Sequence, residues 1–159
     1  MKRFHLLPIL VFYMLGACAQ TDANPELIID PTESYVEGKW ELVKIVGSMI
    51  QIVIEGDDLK RKQHYTFTND GHFSKTTEED QYKSESTGTY TIESVTENFE
   101  EKYIGVVILM FLEGDGYAEN CSSGEVEKEY LHISKDGQLV NISSAPCDGP
   151  YLHYLKLEE

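Results

Sequence analysis

The chain has 159 residues, 41% of them hydrophobic and 26% charged, which suits one domain with a single sizeable core and leaves no room for two. Its 28 acidic and 13 basic residues give a formal charge of −15. That balance excludes the basic, phosphate-tracking surface of a nucleic-acid binder, repels anionic lipid headgroups, and leaves divalent cations or basic proteins as the electrostatically matched partners.

The chain opens with Lys2 and Arg3, continues with an apolar run over residues 4–14, and reaches Leu15-Gly16-Ala17-Cys18. This is the layout of a secretory signal peptide with a small-residue cleavage site. The run falls short of the roughly 20 residues needed to cross a bilayer and contains His5 and Pro8. Leu15 to Cys18 resembles the lipobox of bacterial lipoproteins. The resemblance implies cleavage before Cys18, a diacylglycerol on its sulfur and an acyl chain on its amine, so that two or three chains supply anchoring that one cannot. The expected organisation is a signal peptide over 1–17, a lipidated flexible spacer over 18–37 and a folded domain over 38–159. Loss of Lys2 and Arg3 leaves 11 of the 13 basic residues against 28 acidic ones, a formal charge of −17. Ala19, where Asp would follow the cysteine in inner-membrane lipoproteins, resembles the outer-membrane sorting pattern. The expected location is therefore the outer membrane of a Gram-negative envelope, lipid-anchored on its periplasmic or surface face.

With Cys18 committed to lipid, Cys121 and Cys147 remain as one pair. An exported location permits their oxidation, and the absence of CxxC spacing argues against a metal site.

The spacer is polar, interrupted by Pro25 and Pro31. Beyond Gly38 short β-type runs alternate with turn chemistry, and no long helix is expected. The first run, 39–46, puts Trp40, Leu42 and Lys44 on one face. A second apolar group, 49–54, follows across Gly47-Ser48. Residues 64–68 place Tyr65 and Phe67 on one face, and Asn69-Asp70-Gly71 offers the positive-φ chemistry of a tight hairpin returning through 72–77. Residues 83–93 alternate with Gly88, Tyr90 and Ile92 on one side and Thr87, Thr89 and Thr91 on the other. Residues 102–113 hold a continuous apolar run, 104–112, which reads as a buried strand. Residues 127–134, 138–143 and 151–157 complete a set of eight, with Lys135-Asp136-Gly137 turning between the first two of these.

Eight strands joined by short turns favour an all-β fold, an eight-stranded antiparallel up-and-down barrel. In such a meander the loop after the fifth strand and the loop after the seventh emerge at the same end. Cys121 lies in the former and Cys147 in the latter, so a disulfide between them is geometrically natural.

Gly38-Lys39-Trp40, opening the first strand, resembles the Gly-x-Trp signature of lipocalins. A closer likeness is to the lipocalin-like lipoproteins of Bacteroidota. It runs through Gly38-Lys39-Trp40-Glu41-Leu42-Val43, the segment from Tyr65 to Phe73, Gly88-Thr89-Tyr90-Thr91-Ile92, and Cys147 before the closing strand. The resemblance implies a calycin-type barrel with a small apolar ligand as the default activity. Lipocalins also pack a late arginine over the first-strand tryptophan. This chain has only Arg3 and Arg61, and Lys156 is the substitute it offers.

No catalytic constellation is legible. His64, His72, His132 and His153 fall in separate strands without metal-ligand spacing, and no Gly-x-Ser-x-Gly elbow activates a serine. Glu113, Asp115, Glu119 and Asn120 crowd one loop, but their spacing is not that of an EF-hand, and a plain polar loop is the favoured reading. No metal or cofactor is expected, and the protein reads as a binding module rather than an enzyme. The candidate barrel interior is Trp40, Leu42, Tyr65, Phe67, Tyr90 and Ile92. An eight-stranded barrel is just wide enough for such side chains either to line a cavity or to fill it. Two functions stay open: carriage of a small apolar ligand inside the barrel, or interaction with a protein partner, as inhibitor or accessory subunit, through acidic rim loops around a filled barrel. A structural envelope lipoprotein with no specific ligand is a third.

Overall fold

The structure, a computed structural model, describes residues 31–50, 52–116, 118–121 and 127–158. Residues 1–30, and with them the signal peptide and Cys18, lie outside the described residues. A short helix α1 (Glu33–Val36) precedes nine strands: β1 (Gly38–Val46), β2 (Val53–Glu55), β3 (Lys62–Phe67), β4 (His72–Glu79), β5 (Tyr82–Glu93), β6 (Tyr103–Gly114), β7 (Lys128–Ser134), β8 (Leu139–Asn141) and β9 (Tyr151–Lys156).

All pairings are antiparallel, and eight strands close a ring in the order β1-β3-β4-β5-β6-β7-β8-β9. Closure joins the last strand to the first, from Trp40 opposite Lys156 to Val46 opposite Tyr151. The ninth strand, β2, stands outside the ring. Pairing of β1 with β3 ends at Glu41 opposite His64, and β2 takes up the upper half of β1, with Lys44 opposite Glu55 and Val46 opposite Val53.

Strand alternation sets what faces inward. In β3, Gln63, Tyr65 and Phe67 are buried while Thr66 is exposed; in β4, Phe73, Lys75 and Thr77 are buried. Side chains at period two on a closed sheet have only two destinations, the lumen or the outer wall. The apolar run in β6 obeys the same rule. Gly105, Val107 and Leu109 are buried, Val106, Ile108 and Met110 are half-buried on the wall, Ile104 packs against the core beside a register shift, and Leu112 is 64% exposed, so this strand is buried on one face and not on both. Lys44 does not share the inward face of Trp40 and Leu42. A register shift between Leu42 and Lys44 places an extra residue in β1, and Ile45 takes the inward position instead.

Antiparallel order gives the barrel two unlike ends. At the end where the chain enters, α1 lies beneath the ring and Val36 is fully buried. Trp40 Nε1 donates to the Val36 carbonyl at 2.7 Å. Lys156 Nζ lies 5.8 Å from the centre of the Trp40 ring and donates to the Tyr35 carbonyl at 3.0 Å. Pro31 packs on Gly105, where a Cβ would come within 2.7 Å of its Cγ. Of the segment expected as spacer, residues 31–37 are thus part of the packed body. The turn between β3 and β4 uses one positive-φ residue, Gly71 at +81°, after a Thr68–Gly71 turn.

At the opposite end, the mouth, the β6–β7 and β8–β9 loops meet. Cys121 and Cys147 are joined there in a disulfide, with their Cα atoms 5.8 Å apart. The bridge spans 26 residues. For a loop of that length the chain-entropy estimate is about 3.5 kcal/mol. Replacing both cysteines by serine should lower the urea-unfolding free energy by roughly that amount with an unchanged native strand content by circular dichroism.

Candidate functional site

The lumen is filled in two chemically different halves. Towards the chain-entry end, Trp40, Tyr65, Phe67, Leu109, Leu131, Ile133, Leu139 and Tyr154 are each no more than 1% exposed. Leu42 and Tyr90 are buried with them, and Ile92 packs against the same cluster, so all six candidate interior residues are brought together. The Tyr65–Tyr154 and Phe67–Tyr90 ring pairs meet edge to face at 5.1 Å. That is the favoured geometry for quadrupolar rings and leaves little space between them.

Towards the mouth the inward positions turn polar: Gln63 from β3, Lys75 and Thr77 from β4, Ser84 and Ser86 from β5, Glu129 from β7 and Asn141 from β8. Glu129 is fully buried. Its Oε1 accepts from the Tyr65 hydroxyl and from Asn141 Nδ2 at 2.6 Å; its Oε2 accepts from Lys75 Nζ at 2.9 Å and from the backbone N–H of Glu119 at 3.2 Å. Burying a lone carboxylate costs several kcal/mol, and these four donors, the paired ammonium among them, offset it. Lys75, 4% exposed, also lies 5.4 and 5.5 Å from the centres of the Tyr65 and Phe111 rings. Gln63 extends the network. It accepts from the Tyr154 hydroxyl and donates to Thr77 Oγ1 at 2.8 Å and to Glu119 Oε1 at 3.3 Å.

The outermost layer is the ion pair of Arg61 with Glu119, whose second oxygen is 3.8 Å from Lys75 Nζ. Beside it lies a cavity of about 20 Å³ walled by Arg61, Lys75, Thr77, Tyr82, Ser84, Gly116 and Glu119. That volume admits about one water molecule. Among the described residues larger depressions lie over Thr66, Ser74, Thr87 and Leu112 (about 480 Å³), beside Phe99, Tyr103 and Tyr151 (about 450 Å³), and at the chain-entry end between Glu37, Lys39, Asn69 and Lys156 (about 950 Å³). All three are open to solvent, and the first also reaches the buried Phe73 and Gly88 between β4 and β5.

Burial first, and the Glu129 charge second, push the Tyr65 and Tyr154 hydroxyls well above the usual phenol range. Burial draws the Lys75 ammonium down, and Glu129 opposes that. Chemically the arrangement is a latch. Glu129 holds the Glu119 N–H, Asn141 Nδ2 donates to the Glu119 carbonyl at 3.2 Å, and the Cys121 N–H bonds the Ser143 carbonyl, so residues 118–121 are drawn across the mouth.

The loop acids do not converge. Asp115 accepts from the Glu85 N–H, Glu113 points to solvent, Glu119 turns inward and Asn120 donates to the Lys128 carbonyl. The histidines stay apart: His64 pairs with Glu41 at 3.3 Å, His72 with Asp70 at 3.2 Å, His153 contacts Gln138, and His132 lies tilted against the rings of Phe99 and Tyr103. The Lys75–Glu129 network was not anticipated. Its signal was present in the alternation, a lysine between Phe73 and Thr77 and a glutamate in phase with Leu131 and Ile133.

Glu129→Ala should destabilise the fold by about 3–5 kcal/mol in urea, because it removes the nearest counter-charge of buried Lys75 and the acceptor shared by Tyr65, Asn141 and the Glu119 N–H, and the double variant Lys75→Met/Glu129→Leu should recover most of that loss. A hydroxyl whose folded pKa lies above its unfolded value stabilises below the unfolded pKa and loses that contribution as pH rises through the folded one. Stability should therefore fall with rising pH above about 10. Lys75, with the opposite shift, partly offsets the slope, and Tyr65→Phe/Tyr154→Phe should flatten it in pH-dependent urea titrations.

Compared with known proteins, the chain matches no family model, no curated protein and no solved structure.

Proposed function

We propose that this chain is a lipid-tethered envelope protein that works by contact with a protein partner, its barrel serving as a packed scaffold. The observation that carries this reading is the filled lumen. Pockets that hold small apolar ligands run to about 300–1,000 Å³, whereas among the described residues the cavity between inward side chains is about 20 Å³ and is walled by two cations and an acid. An apolar ligand would have to displace aromatic rings at one end or break the Glu129 network at the other. Recognition then falls to the outside and the rim. The rim at the mouth carries exposed Glu78, Glu79, Asp80, Glu113, Asp115 and Asp148. That suits a basic partner steered in at low ionic strength.

The tether in this proposal is Cys18, and its destination, from Ala19, is the outer membrane. The likeness to lipocalin-like lipoproteins of Bacteroidota fits the same picture, with the carrier activity of that shape given up to packing. Two measurements test it together. A clickable palmitate analogue should label the wild-type chain in cells and not Cys18→Ser, and a fluorescent fatty acid titrated into the purified protein should give no saturable signal. Stoichiometric fatty-acid binding would restore the carrier function, and an unlabelled wild-type chain would remove the tether.

A further inference from the structure

The β1–β2 hairpin carries apolar surface that the barrel does not use. Residues 45–54 contain no charge in a chain where 26% of residues are charged. At the hairpin tip Met49 is 74%, Ile50 70%, Ile52 54% and Val53 53% exposed. The tip is held in shape by the Ile45–Ile54 and Val46–Val53 pairs and by the Gly47 N–H on the Ile52 carbonyl at 2.9 Å. Because β2 lies outside the ring, nothing in barrel closure requires these side chains to be apolar. Contiguous exposed apolar surface with a polar border is the mark of an interaction site. On the β2 side its border carries three exposed acids, Glu55, Asp57 and Asp58, against two lysines, Lys44 opposite Glu55 and Lys60, whose Nζ donates to the Asp57 carbonyl at 2.6 Å, so the border is acidic by one charge.

We infer that this hairpin tip is the contact by which the module seats in its partner, and that the partner is a protein with an apolar socket flanked by Lys or Arg. The inference rests on the protein-contact reading above and names its surface. Charge selects the occupant. A second copy would bring Glu55, Asp57 and Asp58 against their own kind on chains of formal charge −15. A bilayer with anionic headgroups would meet the same repulsion. Position agrees: the tip is at the mouth, whereas the described chain enters at the opposite end through Pro31 on Gly105, so the tip and the start of the described chain are at opposite ends of the barrel.

The test places a photo-crosslinking amino acid at Ile50 in the full chain in its own cells, with Glu113 on the rim and Asn98 at the chain-entry end as comparison sites. One dominant protein adduct at position 50, absent at position 98, is expected. With that protein purified, Met49→Ser/Ile50→Ser should weaken binding by about tenfold or more. Wild-type binding should weaken as salt rises from about 50 to 300 mM, and much less so for Glu55→Gln/Asp57→Asn/Asp58→Asn. An adduct to a second copy, to lipid or to residues 19–30 of the same chain overturns the inference, as does salt-independent binding. Adducts from position 113 but not position 50 defeat the tip while leaving a protein-contact module, and no protein adduct from either position defeats both.

Discussion

The Glu129 carboxylate is buried where water cannot reach it, and most of the mouth end is arranged to satisfy it. Three strands of the ring and one loop send it donors or the ammonium: Tyr65 from β3, Lys75 from β4, Asn141 from β8 and the Glu119 N–H from the loop, around its own β7. An ion pair of this kind is weak evidence for net stability, since apolar residues of equal volume often do as well. What it does supply is position. The same carboxylate that neutralises Lys75 also fixes the backbone of residue 119, so the lid over the mouth and the charge balance inside it cannot be changed separately.

A division of labour along the barrel axis follows. The chain-entry end is an aromatic and aliphatic core sealed by α1, with Val36 beneath Trp40 and Lys156 over the indole. The mouth is sealed by a polar lattice and the Cys121–Cys147 bridge. Hydrogen bonds in that lattice are directional, so it tolerates less adjustment than an apolar core of the same volume. A scaffold stiffened at both ends can present the β1–β2 hairpin and the acidic rim with little conformational loss on association, which is where affinity is otherwise spent.

The eight ring strands were legible because period-two alternation and Gly-containing turns are local signals, and each expected strand overlaps an observed one. The Cys121–Cys147 pairing was legible because strand parity sets which loops share an end. Features that depend on neighbours were not. β2 has three residues and pairs with β1 alone in that region, so its apolar run 49–54 carried no alternation to read. α1 is four residues long and exists because Val36 and Pro31 find places under the ring. The register shift after Leu42 is an irregularity of pairing, invisible in the run that contains it, and it moved Lys44 off the inward face. Among the interior residues, Trp40, Leu42, Tyr65, Phe67, Tyr90 and Ile92 could be picked by hydrophobicity and phase. Lys75 and Glu129 could not, because each is a charged residue whose burial makes sense only once the other is known to face it.

Native-state hydrogen exchange at the Glu119 amide tests the latch most directly. In the wild type that N–H should exchange only through the opening that frees the core amides of Leu131 and Ile133, and in Glu129→Gln its protection should drop while theirs persists. Exchange of the wild-type Glu119 amide at the rate of an open loop would mean that the mouth is not closed by Glu129, and the filled, latched barrel described here would be wrong.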